Sequence, residues 1–395
     1  MLAERARRLA PSPTLAISAR ARAMRAQGID VISFGAGEPD FDTPERVKAA
    51  AVRALEQGHT KYTDTAGIPE LRAAVGAKLR RDDGLDYEPA DVIVSVGAKH
   101  TLYNICAVLV GPGDEVLVPA PYWVSYTEQV RLCDGTPVIV PTDEALGFQL
   151  DVDALSAAVT PRTKLLILNS PNNPTGAVFS RAALEAVAAL AVDRDLWVVS
   201  DECYAALSYE GRVPSIATLS PEIKARTLVV QTCSKAYAMT GWRIGYAAGP
   251  RDIVRAMGDF QSQCTSNPAT VAQWAAIEAL TGPQDDVAKM AGEFDRRRRA
   301  TIAGLNRIPG IRCAMPQGAF YAFPDVSGLF GRRFGDRPLA SSAGVTAFLL
   351  QEARVAVVPG ADFGSDRHVR LSYATSFATI QEGLSRIEAA CARLV

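Results

Sequence analysis

Residues 164–204 read KLLILNSPNNPTGAVFSRAALEAVAALAVDRDLWVVSDECY, and this stretch decides the fold. Two short apolar runs, Lys164–Leu168 and Trp197–Ser200, flank the helical pattern of Arg181–Val192. Continuous apolar runs of this length are typical of strands that are buried on both faces of a sheet. The order strand, helix, strand predicts a parallel βαβ unit.

The same alternation continues on both sides of this unit. A second helical pattern covers Thr101–Val110. Further apolar runs occur at Val92–Val96, Val116–Val118, Thr227–Gln231 and Ile244–Ala247. We therefore predict an α/β fold with a mostly parallel, mixed sheet between layers of helices, in a large domain over residues 45–285.

The last hundred residues have a different pattern. A long charged helix is predicted around Glu293, followed by three short strands and a closing helix, at Ala319–Phe323, Val355–Val358, His368–Tyr373 and Thr379–Leu394. This order predicts a smaller α+β domain, formed by residues 286–395 together with 1–44. The four consecutive arginines at 296–299 are expected on a solvated face of the long helix.

Composition excludes several classes of protein. Apolar residues make up 48% of the 395 residues and charged residues 22%, so disorder is not expected. Basic and acidic residues nearly balance, at 42 and 43, which gives no electrostatic footprint for nucleic acid. No apolar run reaches the ~18–20 residues that span a bilayer, so no membrane association is expected.

Cysteine and histidine usage indicates a reduced compartment and no metal. The seven cysteines include no C-x-x-C pair, and the N-terminus has arginines but no apolar signal core. We therefore expect a cytoplasmic protein. The three histidines are scattered without ligand spacing, so no metal site is predicted.

Polar side chains follow four of the predicted strands. They lie in the segments 97–99, 169–176, 201–204 and 232–235. Because ligands of open α/β sheets bind beyond the carboxyl ends of the strands, we expect these segments to converge on one site.

One part of this site is suited to phosphate. The helix that begins at Gly97 and Ala98 offers free backbone N–H groups to an anion. Thr232 and Ser234 add hydroxyl donors, and the planar guanidinium of Arg243 suits a phosphate.

The other part is suited to an aromatic aldehyde. Asp201, at the end of a buried strand, is a carboxylate that requires a cation, and Asn173 and Tyr204 are neutral hydrogen-bonding groups. Lys235 is one of only eight lysines, and its amine at the end of an apolar strand could react with a carbonyl. Together with the phosphate donors, this set describes a site for pyridoxal phosphate.

Three motifs carry a resemblance to a known family. NNPTG at 172–176, SDECY at 200–204 and SKAYAMTGWRIG at 234–245 resemble the signatures of the class I/II aminotransferases, the fold type I enzymes that use pyridoxal phosphate. The resemblance extends from about Pro11 to the C-terminus. AGEPDFDTP at 36–44, PYWVS at 121–125 and AAGP at 247–250 resemble subgroup Iβ, the bacterial aspartate aminotransferases that include aspartate/prephenate aminotransferases.

The resemblance implies roles at the cofactor. Lys235 would form a Schiff base and carry the proton between the substrate Cα and C4′, while Asp201 would pair with the ring nitrogen. Tyr204 and Asn173 would bind the phenolic oxygen, and Trp123 would stack on the ring. The phosphate ligands would be Gly97, Ala98, Lys99, Thr232, Ser234, Arg243 and Tyr62 of the partner subunit, which implies a homodimer with shared active sites.

The resemblance also implies the substrate contacts. Arg370 and the backbone at Gly37 would hold the α-carboxylate, with Trp123 and Asn173 nearby. Lys99 and Thr14 would bind the distal carboxylate of a dicarboxylic substrate.

These contacts lead us to expect a ping-pong transaminase that uses aspartate and 2-oxoglutarate. Three alternatives remain: a prephenate or aromatic aminotransferase, a C–S lyase or eliminase on the same fold, and a binding module without cofactor. The intact Lys235, Asp201 and Arg243 argue against the last of these.

Overall fold

A seven-stranded sheet dominates the part of the chain that this computed structural model describes, which is residues 2–3, 7, 9 and 13–395 without the side chains of 13–15 and 337. The described strands are β1 (Ile32–Ser33), β2 (Val92–Val96), β3 (Glu115–Ala120), β4 (Thr136–Pro141), β5 (Thr163–Asn169), β6 (Trp197–Asp201), β7 (Thr227–Thr232), β8 (Ile244–Ala248), β9 (Tyr321–Ala322), β10 (Arg333–Phe334), β11 (Arg337–Pro338), β12 (Val355–Ala356), β13 (Val358–Pro359) and β14 (Val369–Ser372).

Helices cover both faces of this sheet and build much of the rest of the molecule. The described α-helices are α1 (Pro13–Ala26), α2 (Glu45–Glu56), α3 (Pro69–Lys78), α4 (Ala98–Leu109), α5 (Ser125–Leu132), α6 (Val152–Ala158), α7 (Arg181–Asp193), α8 (Pro221–Lys224), α9 (Cys233–Ala236), α10 (Arg251–Cys264), α11 (Thr270–Thr281), α12 (Asp285–Leu305), α13 (Ser342–Phe348) and α14 (Phe377–Cys391). Among these described helices, none is both long and apolar enough to cross a membrane.

The strand order of the large sheet brings the predicted polar segments to one edge. The order is β2-β8-β7-β6-β5-β3-β4, and β8 is antiparallel to both of its neighbours while the other pairs are parallel. The strands other than β8 therefore point in one direction. Their carboxyl ends carry the segments that follow β2, β5, β6 and β7, so the mostly parallel α/β sheet is confirmed.

One strand of the large sheet was not predicted. β4 lies at the edge, pairs only with β3 and contains Pro137 and Pro141. Proline cannot donate to the hydrogen-bond ladder, so it is confined to edge strands, where one side of the strand has no neighbour. The partly exposed residues of β4 break the continuous apolar pattern that identified the other six strands.

The sheet is buried because both of its faces meet apolar helix surfaces. On one helix, Leu102, Ile105, Cys106 and Leu109 share a buried face, at the spacing of successive helical turns. This face of α4 belongs to the same apolar cluster as Ile93 of β2. Burial of this kind contributes about 25 cal/mol for each Å² of apolar surface removed from water.

The C-terminal third has small sheets of its own. β13, β14 and β9 form an antiparallel sheet, and β1 pairs in parallel with β12, which ties the N-terminal segment to the C-terminal third. The predicted run 319–323 contributes only β9, and the run 355–358 is divided between β12 and β13. The domain limits at residues 45 and 285 stay a prediction.

The exposure of the four arginines on α12 differs from the prediction. Arg297 and Arg298 are buried, whereas Arg296 and Arg299 are exposed. Arg297 pairs with Asp40 at 2.7 Å, and Arg298 pairs with Asp295 at 2.6 Å. The expectation of a solvated face is therefore wrong for two of the four arginines, because adjacent positions on a helix point in different directions.

Candidate active site

A cavity of about 820 Å³ lies at the carboxyl edge of the large sheet, between this edge and the C-terminal third. It brings together twelve of the residues that the sequence singled out: Gly37, Ala98, Lys99, Trp123, Asn173, Asp201, Tyr204, Thr232, Ser234, Lys235, Arg243 and Arg370. Gly97 adjoins the cavity, since a Cβ at this position would lie 2.5 Å from Nη2 of Arg243.

Lys235 lies in the short helix α9, directly after β7. Its Nζ donates a hydrogen bond to the carbonyl oxygen of Gly37 and lies 5.8 Å from the ring centre of Tyr204. Burial lowers the pKa of the Lys235 amine to about 8, because the charged form loses its hydration. A lysine with this pKa has a larger neutral, nucleophilic fraction near neutral pH than a solvated lysine has.

Asp201 is the last residue of β6 and is buried. Its Oδ2 accepts a hydrogen bond from the hydroxyl of Tyr126 at 2.6 Å, and its Oδ1 accepts one from the backbone N–H of Cys203 at 3.1 Å. Burial raises the pKa of Asp201, while these two donors and the charge of Lys235 act in the opposite direction. The carboxylate is thus held in place by two hydrogen bonds and forms no salt bridge among the described residues.

The end of the cavity near α4 is built by close backbone approach. Gly97 has a φ of 81°, in the region that favours glycine, and a Cβ at Gly245 would overlap the backbone nitrogen of Ala98. Arg243 also has a left-handed φ, of 58°, and its Nη1 donates to the carbonyl of Thr240 at 2.7 Å. These two glycines allow the guanidinium and the N-terminus of α4 to lie side by side.

The backbone donors differ in one respect from the prediction. The N–H of Gly97 already donates to the carbonyl oxygen of Ser95 at 2.7 Å. The N–H groups of Ala98 and Lys99 belong to the first turn of α4, where a helix offers them no internal acceptor. The expected contribution of Gly97 is therefore its lack of a side chain.

Two hydroxyl groups complete this end. Thr232 caps α9, because its Oγ1 accepts a hydrogen bond from the backbone N–H of Ser234 at 3.1 Å. The Oγ1 of Thr232 also donates to the carbonyl of Ile244 at 2.8 Å and lies 2.9 Å from Oγ of Ser234. The cap fixes both hydroxyls beside the start of α9, which carries Lys235.

Arg370 lies at the opposite end of the cavity, on β14. Its Nη1 donates to Oδ1 of Asn173 at 3.1 Å, and its Nη2 donates to the carbonyl of Gly35 at 2.9 Å. Its Nε is buried without a partner among the described residues. Burial lowers the pKa of this guanidinium, which is 2% exposed and pairs with no carboxylate of the described chain.

Lys99 lies at the mouth of the cavity and is exposed. Its Nζ lies 5.0 Å from the ring centre of Trp123. Partial burial, and secondly the charge of Arg243, lower the pKa of Lys99. The amine therefore lies beside an aromatic ring and forms no ion pair with a carboxylate of the described residues.

Two predicted residues are not among the described residues that line the cavity. Tyr62 is 90% exposed, and its role toward a second chain stays a prediction. Thr14 belongs to α1, but its side chain lies outside the described residues.

Two residues of the cavity were missed by the sequence analysis. Tyr126 binds Asp201, and the hydroxyl of Tyr321 lies 2.9 Å from the hydroxyl of Tyr204. Their only signal in the sequence was that a buried tyrosine hydroxyl requires a partner. Which partner it finds depends on tertiary contacts.

A group of potential metal ligands lies outside this cavity. Glu144, Asp325 and His368 offer ligand atoms within 4.8 Å of one another. Arg367 pairs with Asp325 at 2.6 Å, and Arg312 lies 3.4 Å from Glu144. The two arginines balance the charge of the carboxylates, so the group serves as an ion-pair cluster.

The sequence and the fold together define the class of the protein. Residues 29–387 match the family model of aminotransferase class I and II. The chain belongs to this family.

Individual relatives are similar over nearly the full length. The aspartate aminotransferase of Geobacillus stearothermophilus is 49% identical over 390 residues, which cover 98% of each chain. The aspartate/prephenate aminotransferase of Cereibacter sphaeroides is 48% identical, with the same coverage. The crystal structure of the aspartate aminotransferase from Rhizobium meliloti superposes with a TM-score of 0.97, at 45% identity and over 100% of both chains.

Proposed function

We propose that the protein is a pyridoxal phosphate-dependent aminotransferase that transfers the amino group of aspartate to 2-oxoglutarate by a ping-pong mechanism. One observation carries this proposal: the same cavity contains the amine of Lys235, the carboxylate of Asp201 and the guanidinium of Arg370. Membership of the aminotransferase family supports the reaction, and the names of the relatives support aspartate as the substrate.

The residues of the cavity fit the cofactor. Ala98, Ser234 and Arg243 offer backbone, hydroxyl and guanidinium donors at one end, which is the donor set that a phosphate requires, whereas the hydroxyl of Thr232 already donates to the carbonyl of Ile244. Because Gly97 has no side chain, the guanidinium of Arg243 lies against the first turn of α4, so that an anion bound there can contact both. Asp201 is buried without a full cationic partner in the described chain and suits a protonated ring nitrogen.

When bound, pyridoxal phosphate supplies an aldehyde that reacts with amines and a ring that accepts electron density from the substrate Cα. Asp201 would keep the ring nitrogen protonated, and Tyr126 would hold that carboxylate in orientation. Lys235, with a pKa of about 8, would take the proton from the substrate Cα and return it to C4′, the aldehyde carbon of the cofactor. Tyr204 and Asn173 would donate to the phenolic oxygen of the ring.

The opposite end of the cavity would bind the substrate. Arg370 presents a buried Nε without a partner among the described residues, and a carboxylate is the acceptor that matches a guanidinium best. Lys99 at the mouth would attract the second carboxylate of aspartate or glutamate. Because the cavity is enclosed by Gly37 and Arg370 on one side and Lys235 on the other, bound substrate would exclude water from the reacting atoms.

A panel of amino donors and oxo acids tests this proposal. Protein loaded with pyridoxal phosphate should be yellow and should transfer the amino group of aspartate to 2-oxoglutarate. The Lys235→Ala variant should lose the absorption band of the Schiff base between Lys235 and the cofactor. Prephenate and aromatic oxo acids belong in the panel, because one relative is an aspartate/prephenate aminotransferase. Release of pyruvate and ammonia without an amino acceptor would identify a lyase, and a colourless wild type would contradict the cofactor.

We also propose a homodimer with shared active sites. Tyr62 is 90% exposed, and Val52 and Leu55 on α2 are 52% and 54% exposed, so the described chain leaves these three large side chains available to a second copy. Tyr62 of the partner subunit would then reach the phosphate.

Subunit complementation tests the shared site. Co-expression of Tyr62→Ala and Lys235→Ala chains should give more activity than either variant alone, because a mixed dimer has one site with both residues intact. Activity no higher than that of the separate variants, or a monomer in solution, would contradict the shared site.

A further inference from the structure

Tyr321 contacts three residues of the proposed site, and the proposed function gives it no role. It is 1% exposed, lies on β9 and lines the cavity. Its hydroxyl lies 2.9 Å from the hydroxyl of Tyr204, and the guanidinium of Arg370 lies 4.6 Å from the centre of its ring. A Cβ at Gly37 would lie 2.9 Å from the same hydroxyl.

The two contacts of Tyr321 use different parts of the side chain. The ring face is a quadrupole that attracts a cation, and this attraction is strongest where both groups are removed from water, as they are here. Arg370 pairs with no carboxylate of the described chain; besides the oxygens of Asn173 and Gly35, the rings of Tyr321 and Phe363 lie near its charge, at 4.6 and 5.0 Å. The ring of Tyr321 thus helps to fix the orientation of the Arg370 guanidinium.

The hydroxyl of Tyr321, in contrast to its ring, forms a hydrogen bond with the hydroxyl of Tyr204. A tyrosine hydroxyl donates one hydrogen bond and also accepts. When Tyr204 donates to another acceptor, it can accept from Tyr321, and chained hydrogen bonds of this kind strengthen one another. No other hydroxyl of the described residues is seen within hydrogen-bond distance of Tyr204 Oη.

We propose that Tyr321 is a positioning residue that couples the two ends of the site: its ring orients the carboxylate-binding Arg370, and its hydroxyl polarises Tyr204 toward the ring oxygen of the cofactor. This inference rests on the proposed function. It assigns to one side chain two effects that can be separated, because the ring and the hydroxyl can be removed independently.

Three variants separate these effects. Tyr321→Phe keeps the ring and removes the hydroxyl, whereas Tyr321→Leu removes both. Tyr373→Phe is the matched control: Tyr373 is also buried, its hydroxyl donates to the carbonyl of Ala319 at 3.2 Å, and it does not line the cavity. Wild-type and variant proteins are loaded with pyridoxal phosphate, and absorption is titrated with pH alongside steady-state kinetics.

Tyr321→Phe should shift the pH midpoint of the cofactor absorption band upward by about half a pH unit, because a weaker donor stabilises the deprotonated cofactor less. Its KM for aspartate should stay within about twofold of the wild-type value, since the ring remains beside Arg370. Tyr321→Leu should show the same spectral shift together with a KM about fivefold to tenfold higher for every amino acid, alanine included. Tyr373→Phe should change neither quantity.

The outcomes distinguish this inference from the proposed function. A wild type without an absorption band or transaminase activity would contradict the proposed function itself. An active wild type with an unchanged midpoint in Tyr321→Phe, or with an unchanged KM in Tyr321→Leu, would overturn the role of Tyr321 alone. An equal shift in Tyr373→Phe would show that the spectral change is merely structural and would also overturn it.

Discussion

The guanidinium of Arg370 donates a hydrogen bond to Oδ1 of Asn173 at 3.1 Å, although the two residues are 197 positions apart in the chain. Asn173 follows β5 of the large sheet, and Arg370 lies on β14 of a small sheet. The contact joins the two parts of the molecule that enclose the cavity. It also leaves Nε of Arg370 as a buried donor that a substrate carboxylate can satisfy.

Replacement of Arg370 by lysine tests the carboxylate site. Lysine keeps the charge but cannot form the paired hydrogen bonds of a planar guanidinium. We expect kcat/KM to fall about a hundredfold for every amino acid, which corresponds to the loss of one charge-assisted hydrogen bond. An enzyme with unchanged kinetics would show that another residue binds the α-carboxylate.

Lys99→Ala tests recognition of the second carboxylate. An exposed amine at the mouth of the cavity should attract the acidic side chains of substrates and should contribute little to the binding of apolar ones. We expect kcat/KM to fall at least tenfold for aspartate and glutamate but less than about twofold for alanine and phenylalanine. Lys48→Ala is the control, because the side chain of Lys48 is 41% exposed and pairs with Glu45 at 2.8 Å, outside the cavity. Equal losses for all substrates would contradict the role of Lys99.

Gly97→Ala tests the close approach of Arg243 to α4. The new Cβ would lie 2.5 Å from Nη2 of Arg243, and φ is 81°. We expect the affinity for pyridoxal phosphate to fall at least tenfold, since the guanidinium has to move away from the other groups that would donate hydrogen bonds to the phosphate. Gly113→Ala is the matched control, because Gly113 has a similar φ, of 92°, with nothing within 4 Å of the added Cβ.

The control separates backbone strain from the loss of the site. Gly113→Ala should lower stability by about 1–3 kcal/mol, as expected for a side chain in the left-handed region, and should bind the cofactor normally. If both variants lose the cofactor to the same degree, strain alone explains the effect and the proposed contact with Arg243 has no part in it.

The lowered pKa of Lys235 predicts a pH-dependent stability of the cofactor-free protein. The pKa is about 8 in the folded chain, against the ordinary 10.5 of a solvated lysine, so the folded state binds fewer protons between these values. Stability therefore rises with pH across this window. Below pH 8 the buried charge destabilises the fold by on the order of 3 kcal/mol.

The variant Lys235→Met should therefore have a higher Tm than the wild type at pH 7, and the difference should shrink as the pH approaches 10.5. Thermal unfolding by circular dichroism measures this effect. Lys289→Met, at an exposed position of α12, should show no such convergence. A Lys235→Met protein that is less stable at pH 7, or a difference that grows with pH, would contradict the burial of a neutral amine.

Much of the fold follows from local patterns in the sequence, but some of it depends on tertiary contacts. Six strands of the large sheet are continuous apolar runs, because buried strands need apolar residues on both faces. β4 escaped prediction, since its prolines and exposed side chains suit an edge. Arg297 and Arg298 are buried by partners that are distant in sequence or on neighbouring turns, which composition cannot reveal.

The candidate site shows the same division. Lys235, Asp201 and the N-terminus of α4 could be predicted, because each lies at or just after the end of a recognisable strand and the topology brings strand ends together. Tyr126 and Tyr321 could not be predicted, because their importance lies in single hydroxyl contacts with Asp201 and Tyr204. Such contacts depend on the final packing of side chains, which the spacing of residues does not specify.

All of the proposed chemistry requires that Lys235 is the residue that binds the cofactor covalently. Borohydride reduction of the protein loaded with pyridoxal phosphate, followed by peptide mapping, measures this among the eight lysines of the chain. We predict the phosphopyridoxyl group on Lys235 alone and no label on the Lys235→Ala variant. A label on another lysine, or an unlabelled wild type, would contradict this assignment.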